Sequence, residues 1–211
     1  MERDAPARAT NALTIGTIVA FVAALWFGPH LFLQAGFIPA RFGMALGLPA
    51  VPFALTPLTA TLLHAGWLHL GFNLLMLVYC GRLVEGVIGP RRLLMLYILG
   101  AYGAALGQYL VDPVSTSPMV GASGAISAVV AAYALMFGRD VSRIGPIPGL
   151  VVRALWLAGA WIAIQWLVGL ASGAGLPNIA TAAHVGGFVT GLLAVTPLML
   201  RQSRAIRRRP R

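Results

Sequence analysis

Charge is scarce in this chain of 211 residues. Lysine is absent, only five side chains are acidic, and charged residues make up 9% of the total. Hydrophobic residues account for 59%, and the mean hydropathy is +0.85, both far outside the soluble globular range. The composition therefore excludes a soluble globular protein and predicts an integral membrane protein.

Cysteine is nearly absent as well, since Cys80 is the only one. A single cysteine excludes an intrachain disulfide framework and a cysteine cluster for a metal. We predict that Cys80 is a packing residue.

Six charge-poor apolar stretches predict membrane-spanning helices, because each approaches the ~20 residues needed to cross the hydrocarbon core. They lie approximately at residues 12–33, 57–80, 93–111, 119–138, 154–171 and 179–200. The first stretch lacks the small-residue cleavage pattern of a signal peptide, so we expect it to be retained. The sequence thus predicts an all-α membrane protein with one six-span domain over 12–200. Tails at 1–11 and 201–211 flank this domain.

The arginines predict the orientation of these spans. Fourteen of the fifteen precede span one, follow span six, or lie between spans two and three or four and five. Only Arg41 lies on the other side, in the connection over residues 28–56. The positive-inside rule therefore places both termini in the cytoplasm. The connection is apolar and rich in glycine and proline, so we predict a membrane-associated first outer loop.

The C-terminal tail, 201–211, is rich in arginine and has two interpretations. It could be a nucleic-acid-binding arm or a segment that attracts anionic lipid headgroups, worth about 1 kcal/mol per basic residue near the surface. Because it has no interleaved aromatic residues and no binding motif, we predict contact with anionic headgroups and no nucleic acid.

Polar residues recur at the outer ends of the three spans that run inward. His64, His69 and Asn73 lie at or near the start of span two, Ser123 at the start of span four, and His184 near the start of span six. A serine hydroxyl becomes an effective nucleophile when a positioned imidazole takes its proton. The placement predicts Ser123 as a nucleophile and His184 as its base.

Small residues flank both of these side chains. On each of spans four and six they form a stripe at helical spacing, which lets two helix backbones approach closely in lipid. The stripes are Gly121, Gly124 and Ala128 on span four, and Gly187 and Gly191 on span six. Taken alone, the Gly-Ala-Ser-Gly segment is also typical of plain helix packing. Together, the stripes predict that His184 is brought to Ser123.

A metal site is the competing interpretation of the histidines. His64, His69 and His184 are all of a type that binds zinc or iron. No carboxylate or thiolate lies near them in sequence, and no His-Glu-x-x-His segment is present. We therefore predict neither a metal nor a cofactor.

Three segments, at residues 63–73, 121–125 and 183–188 followed by Gly191, occur in this order at the starts of spans two, four and six. In residues and placement they resemble the signature segments of rhomboid intramembrane serine proteases. Glu85 resembles the family's acidic residue at the inner end of span two, which implies a structural role. The resemblance extends over residues 12–200. It implies a six-helix bundle in a bacterial inner membrane that cleaves single-span membrane proteins near the outer leaflet.

The resemblance also implies roles for individual residues. Ser123 would attack the scissile carbonyl, and His184 would act first as general base and then as general acid. Asn73, His69, His64 and the backbone around Gly121 and Ser123 would stabilise the oxyanion. The resemblance further implies that the site opens to the outer face.

The acids indicate a dyad rather than a triad. Outside the N-terminal tail they are Glu85, Asp112 and Asp140, and none lies within span six or beside His184 in sequence to orient its ring. Asp112, in the loop before span four, is the one conceivable third member, and we favour a loop-solvation role for it.

The chain departs from the family pattern at two places. Ser127 stands where some rhomboids carry an aromatic that stacks on the histidine, and the Trp-Arg pair of some members is absent from the first outer loop. A catalytically silent relative that binds membrane proteins for quality control remains the alternative. Such relatives typically lack the serine or the histidine, and both are present here.

Overall fold

The computed structural model is all-α, with isolated β-bridges as the only extended pairing in its described part. It describes the backbone of residues 7–43, 50–139, 141–171 and 179–207, and the side chains of 7–43, 50–139, 141–163 and 181–199. The α-helices in these residues are α1 Arg8–Phe27, α2 His30–Ala35, α3 Thr56–Thr59, α4 Trp67–Ile88, α5 Pro90–Val111, α6 Ser123–Phe137, α7 Gly149–Ala171 and α8 Ile179–Arg207.

Within the described residues, four segments are long and apolar enough to cross a membrane, by length and composition. They are α1, α4, α5 and the part of α8 over Thr181–Met199. Helix α6, with 15 residues, and Gly149–Ala163 of α7 are shorter apolar helices. An apolar helical bundle is therefore confirmed, whereas the count of six spans and the orientation of the termini stay predictions.

Each predicted span differs from its observed helix at one end or both, and in two of them a break in the helix is the cause. Span one was predicted over 12–33, but α1 ends at Phe27 because Gly28 adopts a positive φ of 79°, which glycine tolerates. Span two was predicted over 57–80, but α4 begins only at Trp67. Leu63 and Gly66 have extended backbone before it. Hydropathy does not mark these breaks, because the residues on both sides of each break are apolar.

Helix α6 lies in the middle of the bundle, in contact with α4, α5 and α8. Its buried residues include Ala125, Ala128, Val129 and Ala132. Small side chains let the neighbouring helices approach closely. Helix α7 packs mainly against α8 and touches α6 only slightly. Cys80 is buried in the same core, as a packing residue would be.

Glu85 joins α4 to the first turn of α1. Its carboxylate accepts hydrogen bonds from the Ala9 N–H at 2.9 Å, the Thr10 N–H at 2.8 Å and the Thr10 hydroxyl at 2.7 Å. The first N–H groups of a helix have no partner within it, and a negative charge near them is favourable. A side chain of α4 thus supplies the cap that α1 lacks.

The predicted first outer loop is anchored by aromatic packing and by backbone pairing. Phe37 exchanges two hydrogen bonds with Met119, in the segment that leads to Ser123. The ring of Phe42 lies 5.6 Å from that of Phe53 and 5.5 Å from that of Tyr109 of α5. These contacts attach the loop although the Trp-Arg pair is absent. Residues 44–49 of this loop lie outside the described residues.

Candidate active site

Ser123 and His184 meet between α6 and α8. The distance from His184 Nε2 to Ser123 Oγ is 2.7 Å, which is hydrogen-bond distance. Ser123 is the first residue of α6, so its backbone N–H belongs to the helix end that has no intrahelical acceptor. The structure therefore places a hydroxyl, an imidazole and a first-turn amide group together.

Backbone contact between α6 and α8 produces this short distance. A Cβ added to Gly187 would overlap the Gly124 carbonyl oxygen, and one added to Gly191 would overlap the Ala128 carbonyl oxygen. A Cβ on Gly124 would overlap the side chain of Ala104 on α5. The glycines lie where the sequence predicted a stripe on each helix, and no larger residue fits at this separation.

Asn73 lies beside the pair on α4. Its Nδ2 donates to the His69 carbonyl oxygen at 2.7 Å, and its Oδ1 is buried without a hydrogen-bond partner. An amide nitrogen has two hydrogens. The second Nδ2 hydrogen therefore remains to be directed at a group that enters the site.

His69 reaches the segment before Ser123 from the first turn of α4. Its Nδ1 accepts the Ala65 N–H at 3.3 Å. A neutral imidazole whose Nδ1 accepts carries its proton on Nε2. A Cβ on Gly121 would lie 2.7 Å from the His69 Nε2, so glycine is what admits this ring.

The backbone N–H of Gly121 is not available to an oxyanion, contrary to the role predicted for this residue. Its N–H donates to the Ala60 carbonyl oxygen at 2.9 Å and is thereby occupied. Its φ of +118° lies in the region that favours glycine. Gly121 therefore turns the chain into α6 and makes room for His69.

His64 lies before the start of α4, in the segment that leads into this helix. Its ring centroid is 5.0 Å from that of His69, and its Nε2 is 3.5 Å from the Ala122 nitrogen, at the limit of a hydrogen bond. The third imidazole, that of His184, is directed at Ser123. No group of three histidine, cysteine or acidic side chains suited to a metal is found among the described residues.

Two cavities adjoin the pair. The larger, about 630 Å³, is bounded by the segment 118–121, by α4 and α5, and by Ser123 and His184. The smaller, about 140 Å³, lies between α4, α6 and Trp161 of α7. Asn73 lines both cavities. The hydroxyl and the imidazole thus lie where a wide cavity meets a narrow one.

Three further residues were weighed in the sequence. Ser127 donates from its Oγ to the Ser123 carbonyl oxygen at 2.8 Å. Asp112 follows α5, and its carbonyl oxygen accepts the Ser115 N–H at 3.3 Å, within the loop. Asp140 lies outside the described residues.

No pattern in the sequence pointed to Trp161. Its indole N–H donates to the His184 carbonyl oxygen at 3.3 Å, and its ring lines the smaller cavity. Tryptophan in an apolar span is ordinary, so nothing in the local pattern marked it. Phe72 also lines both cavities, and its position beside Asn73 was the one signal for it.

The chain resembles known proteins over most of its length. Residues 54–201 match the family model of the Rhomboid domain. Rhomboid protease GluP of Bacillus subtilis is 29% identical over 72% of this chain and 27% of its own length. Rhomboid-type serine protease 2 of Emericella nidulans is 32% identical over 70% of this chain and 27% of its own length. Rhomboid protease AarA of Providencia stuartii is 33% identical over 63% of this chain and 51% of its own length.

The chain therefore spans about a quarter to a half of the length of these relatives. The family model covers well over half of this chain and includes Asn73, Ser123 and His184. This chain belongs to the rhomboid family.

Proposed function

We propose that the chain is an intramembrane serine endopeptidase with Ser123 as nucleophile and His184 as its base. The observation that carries the proposal is the distance of 2.7 Å between His184 Nε2 and Ser123 Oγ, at the junction of two cavities. The names of these relatives, which describe them as proteases, support the same chemistry.

The reaction begins when Ser123 Oγ attacks the scissile carbonyl carbon and its proton passes to His184 Nε2. The tetrahedral intermediate collapses as the imidazolium gives this proton to the leaving amine, which leaves an acyl ester on Ser123. A water molecule then attacks the ester, and His184 takes the water proton and returns it to Oγ. The larger cavity supplies the space for this water.

Three donors suit the oxyanion of the intermediate. They are the second Nδ2 hydrogen of Asn73, the Nε2–H of His69 and the backbone N–H of Ser123. Donors of this kind act by being in place before charge develops. The Nε2 of His64 lies near the Ala122 amide, and its ring lies beside that of His69. We therefore assign His64 the role of supporting the His69 ring.

The proposed substrates are single-span membrane proteins, cut near the outer leaflet. A helical substrate hides its carbonyl groups in intrahelical hydrogen bonds, so it must unwind before Ser123 can reach one. The larger cavity, of about 630 Å³, provides space beside Ser123 for part of such an unwound segment. Location in a bacterial inner membrane belongs to the same proposal. Contact of the basic tail with anionic lipids is also part of the proposal. The side chains of that tail lie outside the described residues.

Labelling and cleavage test the proposal together. Purified wild type, Ser123→Ala and His184→Ala would be treated with a fluorophosphonate and, separately, reconstituted with a single-span substrate. Wild type should label and cleave, and both variants should lose both activities. The matched controls are Ser142→Ala and His30→Ala, whose parent side chains are exposed and line neither cavity.

Cleavage that survives in either Ser123→Ala or His184→Ala would overturn the dyad. A wild type that neither labels nor cleaves across a panel of single-span substrates would favour the silent, membrane-protein-binding relative instead.

A further inference from the structure

Trp161 contacts the turn of α8 that carries His184 at two points. Its indole N–H donates to the His184 carbonyl oxygen at 3.3 Å. Its ring stacks on Phe188, with centroids 4.9 Å apart and an interplanar angle of 11°. His184 and Phe188 are four residues apart, so they lie on one face of the helix, one turn from each other. Trp161 thus contacts this turn of α8 at both of its ends.

The other two sides of the turn are held by glycine contacts. Gly187 lies against the Gly124 backbone on α6, and Gly186 lies against the Gly103 backbone on α5. Such contacts set how close two helices come. One turn further along α8, the Thr190 side chain also lies against Gly103, so the contacts with α5 already limit rotation of α8 about its own axis. On the third side, Trp161 of α7 adds a hydrogen bond and a ring contact at the turn that carries His184.

A small rotation is enough to separate the reacting atoms. Side chains lie about 5–6 Å from a helix axis, so a rotation of about 10° moves an imidazole nitrogen by about 1 Å. The nitrogen is 2.7 Å from Ser123 Oγ. A displacement of about 1 Å in a catalytic group can cost about 10²-fold in rate.

We propose that Trp161 is a positioning residue, which sets the rotation of α8 and thereby the approach of His184 Nε2 to Ser123 Oγ. The inference rests on the proposed function and extends it to a residue of α7. Ser127 offers no ring to stack on the histidine, and its hydroxyl donates to the Ser123 carbonyl oxygen. In this chain an aromatic ring is supplied to the turn of the histidine from α7.

The test compares two tryptophans of the same helix. Trp161→Phe keeps a ring against Phe188 and removes the N–H donor. Trp156→Phe changes a side chain that is 72% exposed. For Trp161→Phe we expect kcat and the fluorophosphonate labelling rate to fall about fivefold to tenfold, the loss of one hydrogen bond. We expect KM to stay within twofold, and Trp156→Phe to match wild type.

A second variant tests the stacking contact. Phe188→Leu keeps an apolar side chain and removes the ring, and it should lower the labelling rate as well. Because both contacts act on one turn, the double variant should lose less than the product of the two single losses. Thermal midpoints are measured in parallel. A fall in the midpoint with an unchanged rate per folded molecule would overturn positioning in favour of plain packing.

A spectroscopic readout separates this inference from the proposed function. In protein with ¹³C-labelled histidine rings, the His184 resonances, assigned with His184→Gln, should shift in Trp161→Phe and stay in place in Trp156→Phe. Unshifted resonances in Trp161→Phe would overturn the inference even if the protein cleaves. A wild type without labelling or cleavage would end the proposed function, and the histidine spectra would still decide whether Trp161 orients the ring.

Discussion

Enlarging Gly187 by one methyl group should separate Ser123, the proposed nucleophile, from His184, its proposed base. A Cβ at this position would overlap the Gly124 carbonyl oxygen and lie 2.9 Å from the Gly124 carbonyl carbon and 3.4 Å from Ser127 Cβ. Two of these partners are backbone atoms, which cannot turn aside as a long side chain can. Helix α8 must therefore move away from α6 in Gly187→Ala.

The size of the effect follows from the contact. Ordinary contact requires a shift of about 1 Å, and a shift of this size can cost about 10²-fold in rate. It extends the distance of 2.7 Å between Nε2 and Oγ beyond hydrogen-bond reach. Overpacking of a close contact costs about 1–3 kcal/mol of stability. We therefore expect a protein that still folds at low temperature but labels about 10²-fold more slowly.

The assay is the fluorophosphonate labelling rate, measured well below the thermal midpoint of each variant. Gly86→Ala is the matched control, because no atom lies within 4 Å of a Cβ built there. It should label like wild type and be slightly more stable, since alanine favours helix over glycine by about 1 kcal/mol. Gly187→Ala that labels at the wild-type rate would refute the idea that the glycine contact sets the distance.

Three other substitutions have distinct expected outcomes. Asn73→Ala should lower kcat/KM by about 10²- to 10³-fold through loss of a proposed oxyanion donor and leave the thermal midpoint nearly unchanged. A loss below threefold in a cleavage assay would exclude this role. Gly121→Ala should be strained by about 1–3 kcal/mol at its positive φ and should displace the His69 ring. Both the thermal midpoint and the labelling rate should therefore fall. A wild-type labelling rate would contradict the contact between Gly121 and His69. Glu85→Gln should lower stability by about 1–3 kcal/mol, because a charged acceptor of α1 amides is lost. The labelling rate per folded molecule should stay unchanged. An unchanged thermal midpoint would count against the role of Glu85 as the cap of α1.

Much of the fold was predictable because lipid restricts the choices. A chain with 9% charged residues must bury its backbone polar groups in helices. The all-α class follows from this, and the family match confirms the resemblance seen in the motifs. Helix boundaries were less predictable. In the apolar segment around Thr56, a short helix, an extended residue and α4 have similar hydropathy, and only packing distinguishes them.

The candidate site divides in the same way. Its chemical types were evident from the sequence, since a serine, a histidine and an asparagine at helix starts are costly in lipid and therefore noticeable. The sequence did not show which hydrogen-bond donors of these groups are free and which are occupied. The occupied N–H of Gly121 and the tautomer of His69 depend on partners that are distant in sequence or set by local loop geometry.

By itself, the sequence determined which groups are available and which helices carry them, because hydrophobic runs and glycine spacing are local properties. Tertiary structure alone decided the distance of 2.7 Å between His184 and Ser123 and the contact of Trp161 with the histidine's turn. Those quantities depend on how three helices pack. A shift of about 1 Å at a glycine contact is enough to change them, and no local pattern in the sequence records distances on that scale.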